Sequence, residues 1–144
     1  VFSEVARVMK PTAEATVVFH SSHASVWRAL AASLADAGLV VTAASILNKT
    51  QASFKQVNGH VAVSGDPLLR LGKRSSALGA QPAAARPSSM DDLVMVSRYE
   101  QPGSGLVTPR QQQHRFSELV GRALVGGVPI TMDARAVYEM QGLV

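Results

Sequence analysis

Cysteine is absent from this 144-residue chain, which excludes disulfide bridges and zinc sites built from thiolates. Aromatic residues make up only 5% of it, and no apolar run approaches the ~20 residues that span a bilayer. A glycine-rich dinucleotide loop, a phosphate-binding loop and an HExxH motif are also missing. These residues therefore carry no self-evident catalytic or cofactor motif, and the lack of cysteine favours a cytoplasmic protein.

What is present indicates a folded protein of mildly basic charge. Hydrophobic residues form 47% of the chain, enough for a core, and the net charge is +4. A basic balance is compatible with nucleic acid but also with an ordinary solvated surface. The chain opens on Val1, inside an amphipathic helical pattern that runs from Phe2 to Met9. We therefore expect a fragment of a longer protein.

A strand–helix–strand pattern follows, and the rest of the chain is organised around it. Thr16 to Phe19 is a nearly all-apolar run, which predicts a strand buried on both faces. Apolar residues at helical spacing predict a helix over about residues 23–37, ended by Gly38, and Trp27 is expected in its core-facing stripe. Leu39 to Ile46 predicts the second strand, so the fold class is α/β.

The turn between this first strand and its helix contains His20, Ser21, Ser22 and His23. Ser22 is the predicted N-cap of the helix. Ligands of open α/β sheets bind beyond the carboxyl ends of the strands, where His20 and Ser22 lie, so both are candidate substrate-binding residues. His20 and His23 could form a metal pair, but no third ligand is placed, which favours ordinary polar loop residues.

A third strand is predicted from Asp66 to Leu71, and its short, helix-free connection favours antiparallel pairing. Residues 48–60 between the strands are polar and turn-rich, and Phe54 with Lys55 stands out in them. An aromatic beside a cation could stack a base while the lysine meets phosphate. The alternative is that Phe54 packs back onto the sheet, and the residues leave both open.

Composition divides the chain into residues 1–72, a flexible linker at 73–90 rich in alanine, glycine and proline, and a small helical segment at 91–144. Within the last part, Asp91 to Tyr99 is compatible with a helix or a strand. Proline at the first helical position predicts a helix from Pro109, ended by Gly126 and Gly127. Asp133 is the predicted cap of a final helix.

The order of these segments resembles a known family. Glu4-Val-Ala-Arg-Val-Met-Lys-Pro11 with Ala15-Thr-Val-Val-Phe-His20 resembles the helix, turn and fifth strand of class I S-adenosylmethionine-dependent methyltransferases. Ile46-Leu-Asn-Lys-Thr-Gln51, Ser53-Phe-Lys-Gln-Val57 and Gly65-Asp-Pro-Leu-Leu69 then look like the C-terminal half of bacterial and phage-type adenine-specific DNA methyltransferases. Val128 to Tyr138 is similar to the short helical segment that closes those proteins.

This resemblance implies the C-terminal part of a Rossmann-like methyltransferase sheet, namely its fifth, sixth and seventh strands with the seventh inserted antiparallel. The full-length protein would transfer a methyl group from S-adenosylmethionine to adenine N6 in DNA after the base is flipped out of the stack. The family's glycine-rich cofactor loop and Asn/Asp-Pro-Pro-Tyr/Phe motif are not in these residues. The candidate substrate-binding residues are Phe54, Lys55, His20 and Ser22. The resemblance places Phe54 in the loop that often carries an aromatic against the flipped base, whereas no family motif assigns a role to His20 or Ser22. We expect the fragment alone to be inactive.

Two other interpretations remain open at the level of sequence. An RNA or small-molecule methyltransferase shares the same strand–helix alternation. A non-catalytic α/β module that binds nucleic acid or a partner protein also fits the composition.

Overall fold

The computed structural model describes residues 1–47, 65–77, 88–99 and 109–142. These ranges contain three strands, β1 (Ala15–Val18), β2 (Leu39–Leu47) and β3 (Asp66–Lys73). The helices are α1 (Phe2–Val8), α2 (Ala24–Asp36), α3 (Arg74–Ala77), α4 (Met90–Tyr99), α5 (Pro109–Gly126) and α6 (Ala134–Met140). None of the helices in these ranges is both long and apolar enough to cross a membrane.

The strands form one sheet in the order β1-β3-β2. β3 is antiparallel to both of its neighbours, so β1 and β2 run in the same direction on either side of it. Helix α2 is the connection between these two parallel strands, as their direction requires. The predicted α/β class and the antiparallel third strand are confirmed, and each predicted strand lies within two residues of an observed one.

Among the described residues, the hydrophobic core lies on one face of the sheet. Leu69 and Leu71 of β3 are fully buried, whereas Val18 of β1 is 49% exposed. The prediction of a first strand buried on both faces is therefore wrong. The apolar run of β1 does not alternate in sequence, but its side chains do alternate in space, and the core helices lie on the side of Val17 rather than Val18.

The core joins the sheet to helices from both halves of the chain. Trp27 of α2, Phe116 of α5 and Leu69 of β3 belong to one buried cluster. The last helices also contribute; their members of the cluster are Met90, Leu93, Val94, Leu119, Val120, Ala123, Ala134, Val137 and Tyr138. The segment 91–99 is a helix and not a strand. The boundaries proposed at 72, 73–90 and 91–144 remain predictions, and residues 78–87 of that linker lie outside the described ranges.

Two glycines end helices as predicted. Gly38 follows α2 with a φ of 71°, and Gly127 follows α5 with a φ of 70°. This left-handed conformation lets the chain leave the helix, and residues with a Cβ rarely adopt it. Gly38 thereby directs the chain from α2 straight into β2.

The cap of α2 differs from the prediction. The N-cap position is His23, not Ser22, and no side chain of this turn caps the helix. Instead the N–H of Ala24 donates to a carboxylate oxygen of Asp133, while the N–H of Ala134 donates to the carbonyl of Ser22 at 3.0 Å. Asp133 does occupy the N-cap position of α6, as predicted, but its side chain serves α2. A contact between residues so far apart in the chain has no local signature.

Candidate functional site

The candidate site lies at the end of the sheet where β1 and β2 finish and β3 begins. The strand register pairs Val18 with Leu68 and Leu47 with Asp66, which places these three strand ends side by side. His20 lies two residues after the end of β1, and Asp66 is the first residue of β3. The sequence pattern predicted His20 at this end of the sheet, and the strand order brings the start of β3 beside it.

The side chains of His20 and Asp66 are in contact at this end. Nδ1 of His20 lies 3.0 Å from Oδ1 of Asp66, and the two side chains are 38% and 7% exposed. An ionised carboxylate only accepts hydrogen bonds, so the Nδ1–H of His20 donates to it. This orients the imidazole and leaves Nε2 as the ring nitrogen available for a further partner. A buried carboxylate thus presents a half-exposed imidazole at the sheet edge.

Gly65 and helix α5 support the start of β3, where Asp66 lies. The hydroxyl of Ser117 donates to the carbonyl of Gly65 at 2.8 Å, and Ser117 is buried. Gly65 has a φ of 79°, and a Cβ there would lie 2.7 Å from Nδ1 of His114 and 2.5 Å from Cγ2 of Ile46. Only glycine permits this close approach. The position of the Asp66 carboxylate therefore depends on α5, which sequence analysis placed in a separate segment.

The turn that carries His20 is held by Trp27. The indole N–H of Trp27 donates to the carbonyl of Ser21 at 2.8 Å, and its ring meets Phe19 edge to face at 5.0 Å between centroids. Trp27 is 1% exposed, which confirms its predicted place in the core. The backbone on both sides of His20 is therefore fixed by buried aromatic contacts.

The other predicted site residues have different outcomes. Ser22 is half-buried in the same turn and its carbonyl accepts from Ala134, but the structure does not test a substrate contact by its side chain. Phe54 and Lys55 lie outside the described residues. Within the described ranges, no group of three His, Cys, Asp or Glu residues could hold a metal ion.

Asp66 and Ser117 were not predicted from the sequence as members of this site. Asp66 was identified only as the first residue of a strand. The available signal was an acidic residue opening an otherwise apolar strand, which needs a partner if it is buried. Ser117 had no signal, because its partner is a backbone carbonyl distant in sequence.

Comparison with known proteins adds no relative. No protein-family model matches the chain, and searches of curated proteins and of solved structures likewise find no match.

Proposed function

We propose that this chain is the C-terminal part of the catalytic domain of an adenine-specific DNA methyltransferase that uses S-adenosylmethionine. The observation that carries the proposal is the strand order β1-β3-β2, with β3 antiparallel between two parallel strands. This is the arrangement that the sequence resemblance implies for the fifth, seventh and sixth strands of the methyltransferase sheet.

The strand order supports the proposal because the two strands of a β-α-β unit most often lie next to each other in the sheet, and here they do not. Strands that are consecutive in sequence are neighbours in space roughly two-thirds of the time. Here β1 and β2, joined by α2, leave room for a strand between them, and the next strand of the chain fills that gap in the opposite direction. A sheet built only from right-handed β-α-β crossovers has no antiparallel strand in such a position.

The outer edge of β1 supports the same assignment. Within the described ranges β3 is the one partner of β1, whose other edge carries no strand. We infer that the strand leading to the Asn/Asp-Pro-Pro-Tyr/Phe motif, the fourth strand in the resembling family, would pair with β1 at this edge. His20, at the carboxyl end of β1, would then lie next to the motif that holds the target amine.

In this proposal His20 contacts the nucleotide around the flipped adenine. Asp66 is a positioning residue that fixes the imidazole, so that Nε2 faces the substrate. Phe54 is the residue proposed to stack on the base, Lys55 to meet a phosphate, and Ser22 to contact the substrate beside His20. The cofactor would be bound by the glycine-rich loop that the family carries elsewhere in its domain, and no described residue is assigned to it.

The reading frame that encodes this chain provides the first test. A glycine-rich loop and an Asn/Asp-Pro-Pro-Tyr/Phe motif preceding Val1 support the proposal, and their absence from the full-length protein contradicts it. The second test is transfer of a labelled methyl group from S-adenosylmethionine by the full-length protein to duplex DNA. Matched RNA and a duplex whose adenines already carry N6-methyl groups are the controls. Labelling of RNA alone would replace the DNA assignment with the RNA alternative.

Site variants locate the substrate contact within that assay. His20→Ala should weaken DNA binding roughly tenfold, because hydrogen bonds to charged groups contribute about 1.5–3 kcal/mol. His23→Ala, an exposed histidine three residues further along the turn, is the matched control and should leave binding unchanged. Equal losses of DNA binding in the two variants would contradict the role of His20, but they would not contradict the strand assignment.

The isolated chain of residues 1–144 should neither bind S-adenosylmethionine tightly nor transfer methyl groups. Calorimetry checks this directly. Tight cofactor binding by residues 1–144 would contradict the proposal that the cofactor loop lies elsewhere in the protein. DNA binding by a full-length protein that transfers no methyl group would favour a non-catalytic binding module.

A further inference from the structure

A concave site lies at the opposite end of the sheet from His20. It is a cleft of about 470 Å³ between α2, the first residues of β2 and the C-terminal end of α5 with the loop after it. Leu39 at the start of β2 pairs with Lys73 at the end of β3, whereas His20 follows the far end of β1. The cleft is therefore separate from the candidate site described above.

The floor of this cleft is apolar. Leu34 from α2, Leu39 from β2 and Ile130 from the loop after α5 line it and are themselves buried. The three alanines Ala31, Ala35 and Ala123 also line it, and their small side chains leave room between the two helices. The volume lies within the roughly 300–1,000 Å³ typical of small-molecule sites.

The charged side chains at the cleft are both arginines. Arg28 on α2 and Arg74 at the start of α3 line it together with the apolar residues. Neither has an ion-pair partner among the described residues. Three other arginines do have one, with nitrogen–oxygen distances of 2.7 Å for Arg7 to Glu4, 3.6 Å for Arg70 to Glu14 and 2.9 Å for Arg135 to Glu139.

We propose that this cleft binds a small anionic amphiphile, a molecule with a hydrocarbon body and one carboxylate or phosphate group. The body would cover Leu34, Leu39 and Ile130, and the anionic group would lie between Arg28 and Arg74. Two guanidinium groups without an ion-pair partner in the described part of the chain, beside an apolar floor, favour a ligand that combines both features. The ion pair would supply orientation and the buried hydrocarbon would supply affinity. This site is independent of the methyltransferase assignment.

Titration calorimetry of the 144-residue chain tests the proposal with three probes of equal chain length: decanoate, decyl phosphate and decanol. At least one of the two anions should bind at least fivefold more tightly than decanol. Preference for decanoate identifies a carboxylate ligand, and preference for decyl phosphate identifies a phosphate ligand. Equal binding of all three probes, or no binding of either anion, overturns the proposal.

Variants place the bound anion in the cleft. Arg28→Gln and Arg74→Gln should each weaken anion binding about two- to fivefold, the range that exposed ion pairs provide, and leave decanol binding unchanged. Arg7→Gln is the matched control, since it removes the same charge from another part of the surface. Ala35→Phe fills the cleft from an exposed position and should abolish binding of every probe.

The urea midpoint of each variant reports whether it is folded like the parent chain. Anion binding that Arg28→Gln and Arg74→Gln leave unchanged overturns the proposal, because the anion would then lie elsewhere. Binding that survives in a folded Ala35→Phe variant overturns it for the same reason.

Discussion

The docking of α5 on the sheet depends on Gly121, and Gly121→Ala tests it. A Cβ at position 121 would lie 2.9 Å from Cβ of Ala44 on β2. Carbon atoms in proteins pack best at about 3.5–4.0 Å. Both Cβ atoms are fixed to their backbones and cannot rotate away, so the helix and the strand would have to separate.

Two opposing contributions decide the expected effect. Alanine is better than glycine inside a helix by about 0.8–1.0 kcal/mol. Overpacking a closely packed interface typically costs about 1–3 kcal/mol. We therefore expect Gly121→Ala to lower the free energy of unfolding by roughly 1 kcal/mol, since the steric cost exceeds the gain in helix propensity.

Gly126 provides the matched control in the same helix. A Cβ at Gly126 would lie 3.6 Å from Cγ2 of Val128, an ordinary contact. Gly126→Ala should therefore be neutral or stabilise by up to about 1 kcal/mol. Urea denaturation followed by circular dichroism measures both variants. Stabilisation by Gly121→Ala equal to that of Gly126→Ala would refute the close packing of α5 on β2.

A double-mutant cycle with Ala44→Gly isolates the contact. Removing the methyl group of Ala44 should convert Gly121→Ala from destabilising to stabilising, with a coupling energy of about 1–3 kcal/mol. Additive effects of the two substitutions would show that the steric conflict lies elsewhere.

Two further predictions concern α6. Asp133→Ala should lower the free energy of unfolding by about 1 kcal/mol because α2 loses its cap. Asp133→Asn keeps an acceptor oxygen and should lower it less. Equal losses of the two variants in urea denaturation would contradict the capping role of Asp133. Burial raises the pKa of the Tyr138 hydroxyl above its ordinary value of about 10. The unfolded chain therefore releases this proton first, and the free energy of unfolding should be unaffected by this group below pH ~10 and fall as the pH rises further. Urea midpoints at increasing pH check it, and a Tyr138→Phe variant with the same alkaline loss would contradict it.

Much of the local structure follows from the sequence. The amphipathic pattern of residues 23–37 and Gly38 predicted a helix and its end, and α2 ends at Asp36 just before a glycine with a positive φ. Leu39 to Ile46 and Asp66 to Leu71 were predicted as strands because they are short, mostly apolar runs. Hydrophobic periodicity and the effect of glycine on the backbone extend over a few residues only, so both can be recognised in a single sequence.

Contacts between distant residues were not predictable in this way. The cap of α2 was assigned to Ser22, the nearest suitable side chain, whereas Asp133 provides it from the far end of the chain. The exposed face of β1 was missed because an all-apolar run does not indicate which side the helices will cover.

The candidate site shows the same division. Sequence position placed His20 at the carboxyl end of β1, since the end of a strand and the start of a helix are local features. Only the tertiary structure paired it with Asp66, because the strand order β1-β3-β2 brings the start of β3 beside the end of β1. The sequence by itself determined the position of most of the helices and strands, because their apolar patterns and terminating glycines are local. The packing of α5 and the insertion of β3 decided which side chains meet, because both depend on burying apolar surface from distant parts of the chain in one core.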